Sequence, residues 1–196
     1  MLNKTEEIRL NILNCAEERF RHYGYRKTAM SEIAQDMNMS TANLYRYFDN
    51  KEDIAAACTE RCMDKNLQCL RDVLKMPNIT ASERLEHFFI EQLRQLHDET
   101  HNHTKITEIV EFIATQRQEL IFQKIKIIQS LIAEILSEGN RTGEFEVDDV
   151  LTTSEAVYAC MTVFNVPLFM TVYPLETLEH MARNVVKLLL TGLHKR

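Results

Sequence analysis

Glycine and proline are scarce in this sequence, with 4 and 3 copies among 196 residues. Folds built from many short strands need these turn residues far more often, so their scarcity favours helices. Apolar residues recur at three- and four-residue spacing in almost every segment, which predicts an all-α fold of about nine helices. No internal repeat or low-complexity segment interrupts this pattern.

The sequence also lacks any run near the roughly 18 apolar residues that a membrane span requires, and its first residues lack the basic-then-apolar pattern of a signal peptide. We therefore expect a cytoplasmic protein with no membrane partner, whose 5 cysteines stay reduced. The formal net charge of −6 argues against a protein that coats nucleic acid over its whole surface. It leaves room for a local basic face.

Three short helices are predicted in the first fifty or so residues. The first ends at Gly24, and the second begins at Thr28, whose hydroxyl we expect to cap it. The third is capped by Ser40 or Thr41 and runs through Phe48. Two short helices separated by a tight turn are typical of a helix-turn-helix.

The third of these helices has the properties of a DNA-recognition helix. Leu44 and Phe48 are four residues apart and can be buried together, which leaves hydrogen-bonding side chains on the other faces: Thr41, Asn43, Tyr45, Arg46 and Tyr47. From Arg19 to Lys51 there are six basic residues against three acidic ones. Positive charge is therefore concentrated where a phosphate backbone would lie.

The segment ILNCAEERFRHYGYRKTAMSEIAQDMNMSTANLYRYFDNKEDI, from Ile12 to Ile54, resembles the DNA-binding domain of TetR-family transcriptional regulators. The matching features are Phe20 with Gly24, the threonine-led TAMSEIA and the run LYRYFDNKEDI. Ala42 departs from the pattern, since many members have glycine there. The resemblance implies a helix-turn-helix domain over residues 1–50 and a helical effector-binding and dimerisation domain over residues 51–196.

The family likeness also implies a function and a set of contacts. The protein would be a homodimeric regulator, usually a repressor, which leaves a palindromic operator in double-stranded DNA when a small molecule binds. It would need no cofactor, metal or catalytic residue. Five residues would contact phosphates: Thr28, Ser40, Tyr45, Tyr47 and Lys51. Four would face base edges: Thr41, Ala42, Asn43 and Arg46.

The second domain would hold an effector in a mainly apolar pocket. The candidates for its lining are large or adaptable side chains, although such residues at helical spacing more often belong to a core: Met63, Phe88, Phe112, Phe122, Tyr158, Met161 and Phe164.

The later helices carry two further predictions. A helix from about Gln118 to Glu138 ends in EGNRTGEF, whose two glycines permit left-handed backbone. The last two helices, about 148–170 and 175–193, are so apolar that we expect them to pair with a second subunit, the alternative being burial within a monomer. Pro167 should bend the first of them or end its regular hydrogen bonding.

Two clusters leave other functions open. Cys58 and Cys62 share a helix face and could bind a soft metal or react with an oxidant, although buried cysteines are the simpler interpretation. His97, His101 and His103 could ligate zinc or nickel, although an exposed histidine-rich turn is simpler. A metal-dependent hydrolase and a structural DNA-binding protein without a ligand remain the alternative classes.

Overall fold

The computed structural model describes residues 3–102 and 105–193, which are helical nearly throughout and contain no strand. The all-α prediction is confirmed. The described residues form ten α-helices and one 3-10 helix, Thr162–Asn165. The α-helices are α1 (Lys4–Tyr23), α2 (Met30–Asp36), α3 (Thr41–Leu44), α4 (Lys51–Leu74), α5 (Ala81–Asn102), α6 (Ile106–Gln116), α7 (Gln118–Thr142), α8 (Val150–Met161), α9 (Pro167–Met170) and α10 (Leu175–Leu193).

The chain divides into two compact units. Unit 1 comprises Met1–Met63 and His103–Ile121, and unit 2 comprises Asp64–Asn102 and Phe122–Arg196. Unit 1 therefore contains α6 and the first half of α4 as well as the three N-terminal helices. This division of packing differs from the predicted boundary after residue 50, and the assignment of functional domains to residues 1–50 and 51–196 stays a prediction.

The core of unit 1 is built by the helix-turn-helix. Ile12, Phe20, Ile33, Leu44 and Phe48 are all buried in one cluster. Each large apolar side chain removed from water in this way contributes roughly 1.5–3 kcal/mol. The apolar spacing in the sequence thus places these residues in one small core, and Ile109 and Phe112 of α6 pack against it.

Unit 2 has a larger core formed by α5, α7, α8 and α10, with Phe88, Ile132 and Val186 fully buried. The turn after α7 differs from the prediction. The helix runs to Thr142, so that Gly139 is helical and only Gly143 has a positive φ, of 78°. Gly139 is required for another reason: a Cβ on it would lie 2.1 Å from the ring of Phe145.

The predicted cap of the second helix is wrong. The N-cap of α2 is Ala29, whose N–H donates to the Glu32 carboxylate at 2.8 Å, while the Thr28 hydroxyl donates to the Gly24 carbonyl at 2.9 Å. The Thr28 side chain is thus turned away from the helix end that it was expected to cap. At α3 the prediction holds, because the Ser40 Oγ accepts from the Asn43 N–H at 3.1 Å.

The apolar helix predicted over residues 148–170 is broken into α8, the 3-10 helix and α9. Pro167 begins α9, and Val166 before it is extended, with φ −109° and ψ 117°. Proline has no N–H to donate and disfavours helical backbone in the preceding residue, so the break falls where Pro167 was expected to disturb the helix. Among the described residues, no helix combines the length and apolarity that crossing a membrane requires.

Candidate nucleic-acid interface and effector domain

The recognition segment, residues 40–48, is anchored by two side chains and leaves the others accessible. Leu44 and Phe48 are 0% and 4% exposed, as their spacing predicted. Regular α-helix covers only Thr41–Leu44, and the chain continues in tight turns whose amides still reach back to carbonyls of α3. The predicted helix through Phe48 is therefore shorter than expected, but its residues keep the same two-sided arrangement.

The side chains predicted to contact DNA differ in accessibility. Ser40, Ala42, Tyr45 and Arg46 are exposed, and the half-exposed set is Thr41, Asn43, Tyr47 and Lys51. Thr28 differs from all of these because it is 2% exposed and its hydroxyl is bound to Gly24. Its predicted phosphate contact gains no support from this arrangement.

Lys51 is held by the turn between α1 and α2. Its Nζ donates to the Tyr25 carbonyl at 2.9 Å and lies 4.4 Å from the centroid of the Tyr25 ring. An ammonium group has three N–H donors, so others remain for a phosphate. Lys51 therefore ties the start of α4 to this turn as well as carrying charge near α3.

The turn at residues 24–26 is also held by α6. The Arg26 N–H donates to Glu108 at 2.8 Å, and the Arg26 guanidinium pairs with Glu111 at 2.7 Å. The Tyr25 ring stacks on Phe112 with centroids 5.0 Å apart. Burial, reinforced by the neighbouring Glu52 carboxylate, raises the pKa of Tyr25 to about 12. Gly24 has φ 90°, and a Cβ there would meet the Glu108 carboxylate at 2.9 Å, so glycine is needed for this approach.

Arg9 is a candidate functional residue that the sequence did not indicate. Arg9 of α1 donates a hydrogen bond from Nη1 to the Tyr47 carbonyl, and its guanidinium carbon lies 4.1 Å from the centroid of the Phe48 ring. The two partners are 38 residues apart in sequence. No local spacing rule connects positions so distant, so the sequence offered no signal for this contact.

The predicted pocket residues do not form one group. Met63 and Phe112 belong to unit 1, where Met63 of α4 and Phe112 of α6 pack against one small buried cluster. The others belong to unit 2: Phe88, Met161 and Phe164 are buried in its core, Tyr158 is half-buried and Phe122 is exposed. Burial raises the pKa of Tyr158. Their role in an effector pocket stays a prediction.

Two other features of unit 2 are relevant to a ligand. The side-chain oxygen of Gln92 is buried and has no hydrogen-bond partner among the described residues. An open cleft of about 720 Å³ lies between the end of α7 and the start of α8. None of the predicted pocket residues lines it. Its lining residues are Ser130, Ala133, Glu134, Ser137, Glu138, Arg141, Val150 and Leu151.

The cysteines have the properties of packing residues. Cys58 is buried, its thiol donates to the Leu13 carbonyl at 3.7 Å, and burial raises the pKa of this thiol. Cys62 is half-buried, and none of the five cysteines, all of which lie in the described ranges, forms a disulfide bond. A raised pKa disfavours the reactive thiolate, so the geometry gives no support to Cys58 as an oxidant sensor.

The prediction of an exposed histidine-rich turn is wrong, because the segment is helical. His97 and His101 lie on α5, one helical turn apart, with ring centroids 3.9 Å apart. His103 lies outside the described residues. Within the described ranges, no group of three or more potential ligands is placed to hold a metal ion.

Comparisons with known proteins agree with this architecture. Residues 12–58 match the model of bacterial regulatory proteins of the tetR family, and residues 81–186, more than half of the chain, match that of the tetracyclin repressor-like C-terminal domain. The chain is 24% identical over 191 residues to the fatty acid metabolism regulator protein of Bacillus subtilis, covering 95% of this chain and 96% of the relative.

Two crystal structures have the same fold. One, from Mesorhizobium loti MAFF303099 and attributed to the TetR family, has a TM-score of 0.82 at 17% identity and covers 99% of this chain and 100% of its own. The other is the transcriptional regulator FadR from Bacillus subtilis in complex with stearoyl-CoA. Its TM-score is 0.69 at 23% identity, with 94% of this chain and 99% of that chain covered.

The helix-turn-helix with its anchored recognition segment defines a DNA-binding transcriptional regulator. Since both family models match in their expected order, this chain belongs to the TetR family of regulators. Proteins of this family act as repressors that a small-molecule ligand releases from DNA.

Proposed function

We propose that this protein is a homodimeric repressor that binds a palindromic operator and leaves it when an acyl-CoA-like effector binds unit 2. The observation that carries the DNA-binding part is the recognition segment, in which exposed Ala42, Tyr45 and Arg46 stand over buried Leu44 and Phe48. A segment anchored in this way can present donors to base edges and phosphates without losing its core. Bacterial DNA lies in the cytoplasm, where we expect the protein to act.

The proposed DNA contacts are those implied by the family likeness and supported by accessibility: Ser40, Thr41, Ala42, Asn43, Tyr45, Arg46, Tyr47 and Lys51. Thr28 is retained only as a buried support for the α1–α2 turn. Selection of bound sequences from randomised duplex DNA tests this proposal. We expect an inverted repeat whose affinity falls steeply with salt, whereas sequence-independent binding alone would reject it.

Dimerisation through the last helices is supported by a second apolar stripe on α10. Leu178, Ala182 and Val186 bury one face of this helix. Met181 and Leu188, seven residues apart on a neighbouring face, are 40% and 74% exposed, while Val185 between them is half-buried and also packs against the core of unit 2. Apolar side chains this exposed in regular spacing favour an interface with a second copy, which a palindromic operator would also require.

The proposed effector class comes from the FadR relative, which binds stearoyl-CoA. Two properties of unit 2 support it: the interior is apolar, and the Gln92 oxygen is buried without a partner among the described residues. An unpaired buried oxygen is costly, at about 1–3 kcal/mol, and a ligand that donates a hydrogen bond would relieve it. An acyl thioester could fill apolar space with its chain and present amide donors in its pantetheine arm.

The effector is tested by its effect on DNA affinity, with stearoyl-CoA, stearate and CoA compared on the selected duplex. We expect stearoyl-CoA to weaken binding about tenfold or more and CoA alone to leave it unchanged, because coupling energies of this kind are typically 1–3 kcal/mol. If none of the three changes DNA affinity, the acyl thioester class is rejected and the DNA-binding proposal stands.

Effector binding would release DNA by displacing the turn at residues 24–26. α6 belongs to unit 1, and along the chain it lies between α5 and α7, which supply much of the core of unit 2. Since Glu108 and Glu111 hold Arg26, a displacement of α6 would pull on the turn that leads into α2. Glu111→Gln should leave effector-free DNA affinity nearly unchanged but reduce the effector response roughly two- to fivefold, as expected for an exposed ion pair.

The matched control is Glu18→Gln, which removes an exposed carboxylate paired with Arg21 on α1. This variant should keep the full effector response. An unaltered response in Glu111→Gln would contradict a relay through Arg26.

A further inference from the structure

Unit 1 uses its arginines in two ways. Of its seven arginines, five form ion pairs with carboxylates: Arg19, Arg21, Arg26, Arg61 and Arg117. The other two, Arg9 and Arg46, form no ion pair with any residue that the structure describes. Arg46 belongs to the recognition segment, and Arg9 contacts the end of that same segment. The unpaired guanidinium groups of the unit thus belong to one part of its surface.

The acid of α1 that has the spacing to pair with Arg9 is already engaged. Glu6, three residues earlier, could pair with Arg9 on the helix surface. Its carboxylate instead accepts from the Asn3 N–H at 2.8 Å and closes the capping box of α1. The charge of Arg9 is therefore left uncompensated by its own helix, although its side chain is fixed on the other side by the Tyr47 carbonyl and the Phe48 ring.

A guanidinium group has five N–H donors, and only one of them is used by the Tyr47 carbonyl. Arg9 is exposed, so the remaining donors can reach a ligand. A neutral donor would be enough to hold the Tyr47 carbonyl. The positive charge of Arg9 is therefore not needed for this hydrogen bond, but it would serve to bind an anion at the same place. Planar forks of this kind match the paired oxygens of a phosphate.

We propose that Arg9 binds a backbone phosphate of the DNA at the end of the recognition segment, beside Tyr47. α1 thereby becomes part of the DNA-binding surface, and Arg9 also positions the carbonyl of a residue that is itself expected to meet a phosphate. This inference rests on the DNA-binding function proposed above.

The test is the salt dependence of affinity for the selected duplex, measured between 50 and 200 mM KCl. Each phosphate contact adds about 0.9 to the slope of log affinity against log salt concentration. Arg9→Gln should therefore lower the slope by about 0.9, so that over this fourfold range the wild type loses about 3.5-fold more affinity than the variant. Arg9→Lys keeps the charge and should keep the slope.

The matched control is Arg21→Gln, which removes the same charge from the same helix at a residue paired with Glu18. Its slope should equal that of the wild type. Arg9→Met is a second neutral variant, whose thioether can still pack on Phe48, and circular dichroism checks that each variant is folded at the assay temperature.

A slope in both neutral variants equal to that of the wild type would overturn the phosphate contact and leave Arg9 with a purely structural role. Failure of both neutral variants to fold would do the same. If the wild type itself shows no salt-dependent, sequence-specific binding, the DNA-binding proposal fails, and this result is distinct from a failure of Arg9 alone.

Discussion

Units 1 and 2 bury apolar side chains in the same way but leave different groups on their surfaces. In unit 1 the two arginines that have no acidic partner among the described residues, Arg9 and Arg46, both lie at the recognition segment of a small helix-turn-helix core. Unit 2 exposes large apolar side chains on its last helices, with Leu151 and Leu188 at 70% and 74%. Unpaired charge suits a polyanion, and exposed apolar stripes suit another protein surface. The two surfaces therefore indicate two kinds of partner.

The largest effect should come from the core of unit 1. Phe48→Ala removes a buried ring that also carries the Arg9 guanidinium, and it should lower the free energy of unfolding by about 3–5 kcal/mol and abolish DNA binding. Tyr47→Phe removes one hydroxyl of a half-exposed residue and should weaken DNA binding without changing the unfolding temperature. Chemical denaturation and a DNA-binding titration measure both. Equal stability loss in the two variants would contradict the division between anchor and contact.

The next effect concerns the apolar surface of unit 2. Leu188→Arg places a charge in the exposed stripe of α10 and should convert the dimer to a monomer at micromolar concentration, as measured by sedimentation velocity. Affinity for the palindrome should fall with it, since two half-sites no longer bind together. Met76→Arg, at another exposed apolar residue of unit 2, is the control and should remain dimeric. A dimeric Leu188→Arg variant would contradict the proposed interface.

A smaller effect separates packing in unit 2 from DNA binding in unit 1. Gly139→Ala forces a methyl group against the Phe145 ring and should cost about 1–3 kcal/mol of stability. Gly192→Ala, on α10 with open space around it, should be neutral or slightly stabilising. Thermal unfolding compares the two. Equal unfolding temperatures would show that the contact with Phe145 does not constrain position 139.

The last effect is confined to alkaline pH and is absent under ordinary assay conditions. Because the pKa of Tyr25 is raised to about 12, the folded state keeps its proton after the unfolded chain has lost it near pH 10. Its contribution is fully present below pH 10 and is lost as the pH rises to 12, by an amount on the order of 1–3 kcal/mol. Tyr25→Phe should remove part of this dependence of the unfolding temperature. Tyr23→Phe, at an exposed tyrosine, should retain all of it.

Local patterns carried most of what could be predicted. The Ser40 cap and the burial of Leu44 and Phe48 depend on residues within one or two turns of each other, and all are confirmed. The predicted Thr28 cap is wrong because the Thr28 hydroxyl donates to the Gly24 carbonyl and the N-cap of α2 is Ala29, one residue later. The same local rule therefore gives a wrong answer where the side chain binds a carbonyl outside the helix.

Contacts between distant residues explain what could not be predicted. Arg9 donates a hydrogen bond to Tyr47, and Arg26 donates one to Glu108. Both contacts depend on how the helices pack, which short-range spacing in the sequence does not specify. The candidates for an effector pocket scatter for the same reason. Aromatic side chains at helical spacing, such as Phe88 and Phe122, have similar patterns in sequence but are 0% and 59% exposed in the structure.

The capping box at Asn3 and Glu6 has a practical consequence for handling this protein. Asn3 accepts from the Glu6 N–H at 2.9 Å, and this pair holds the first turn of the helix that carries Arg9. A shortened version beginning at Lys4 would lose a cap worth about 1 kcal/mol, and fraying would start one turn before Arg9. Removal of residues that precede the helix-turn-helix core would then alter measured DNA affinities, so comparisons between variants should keep residues 3–6 intact.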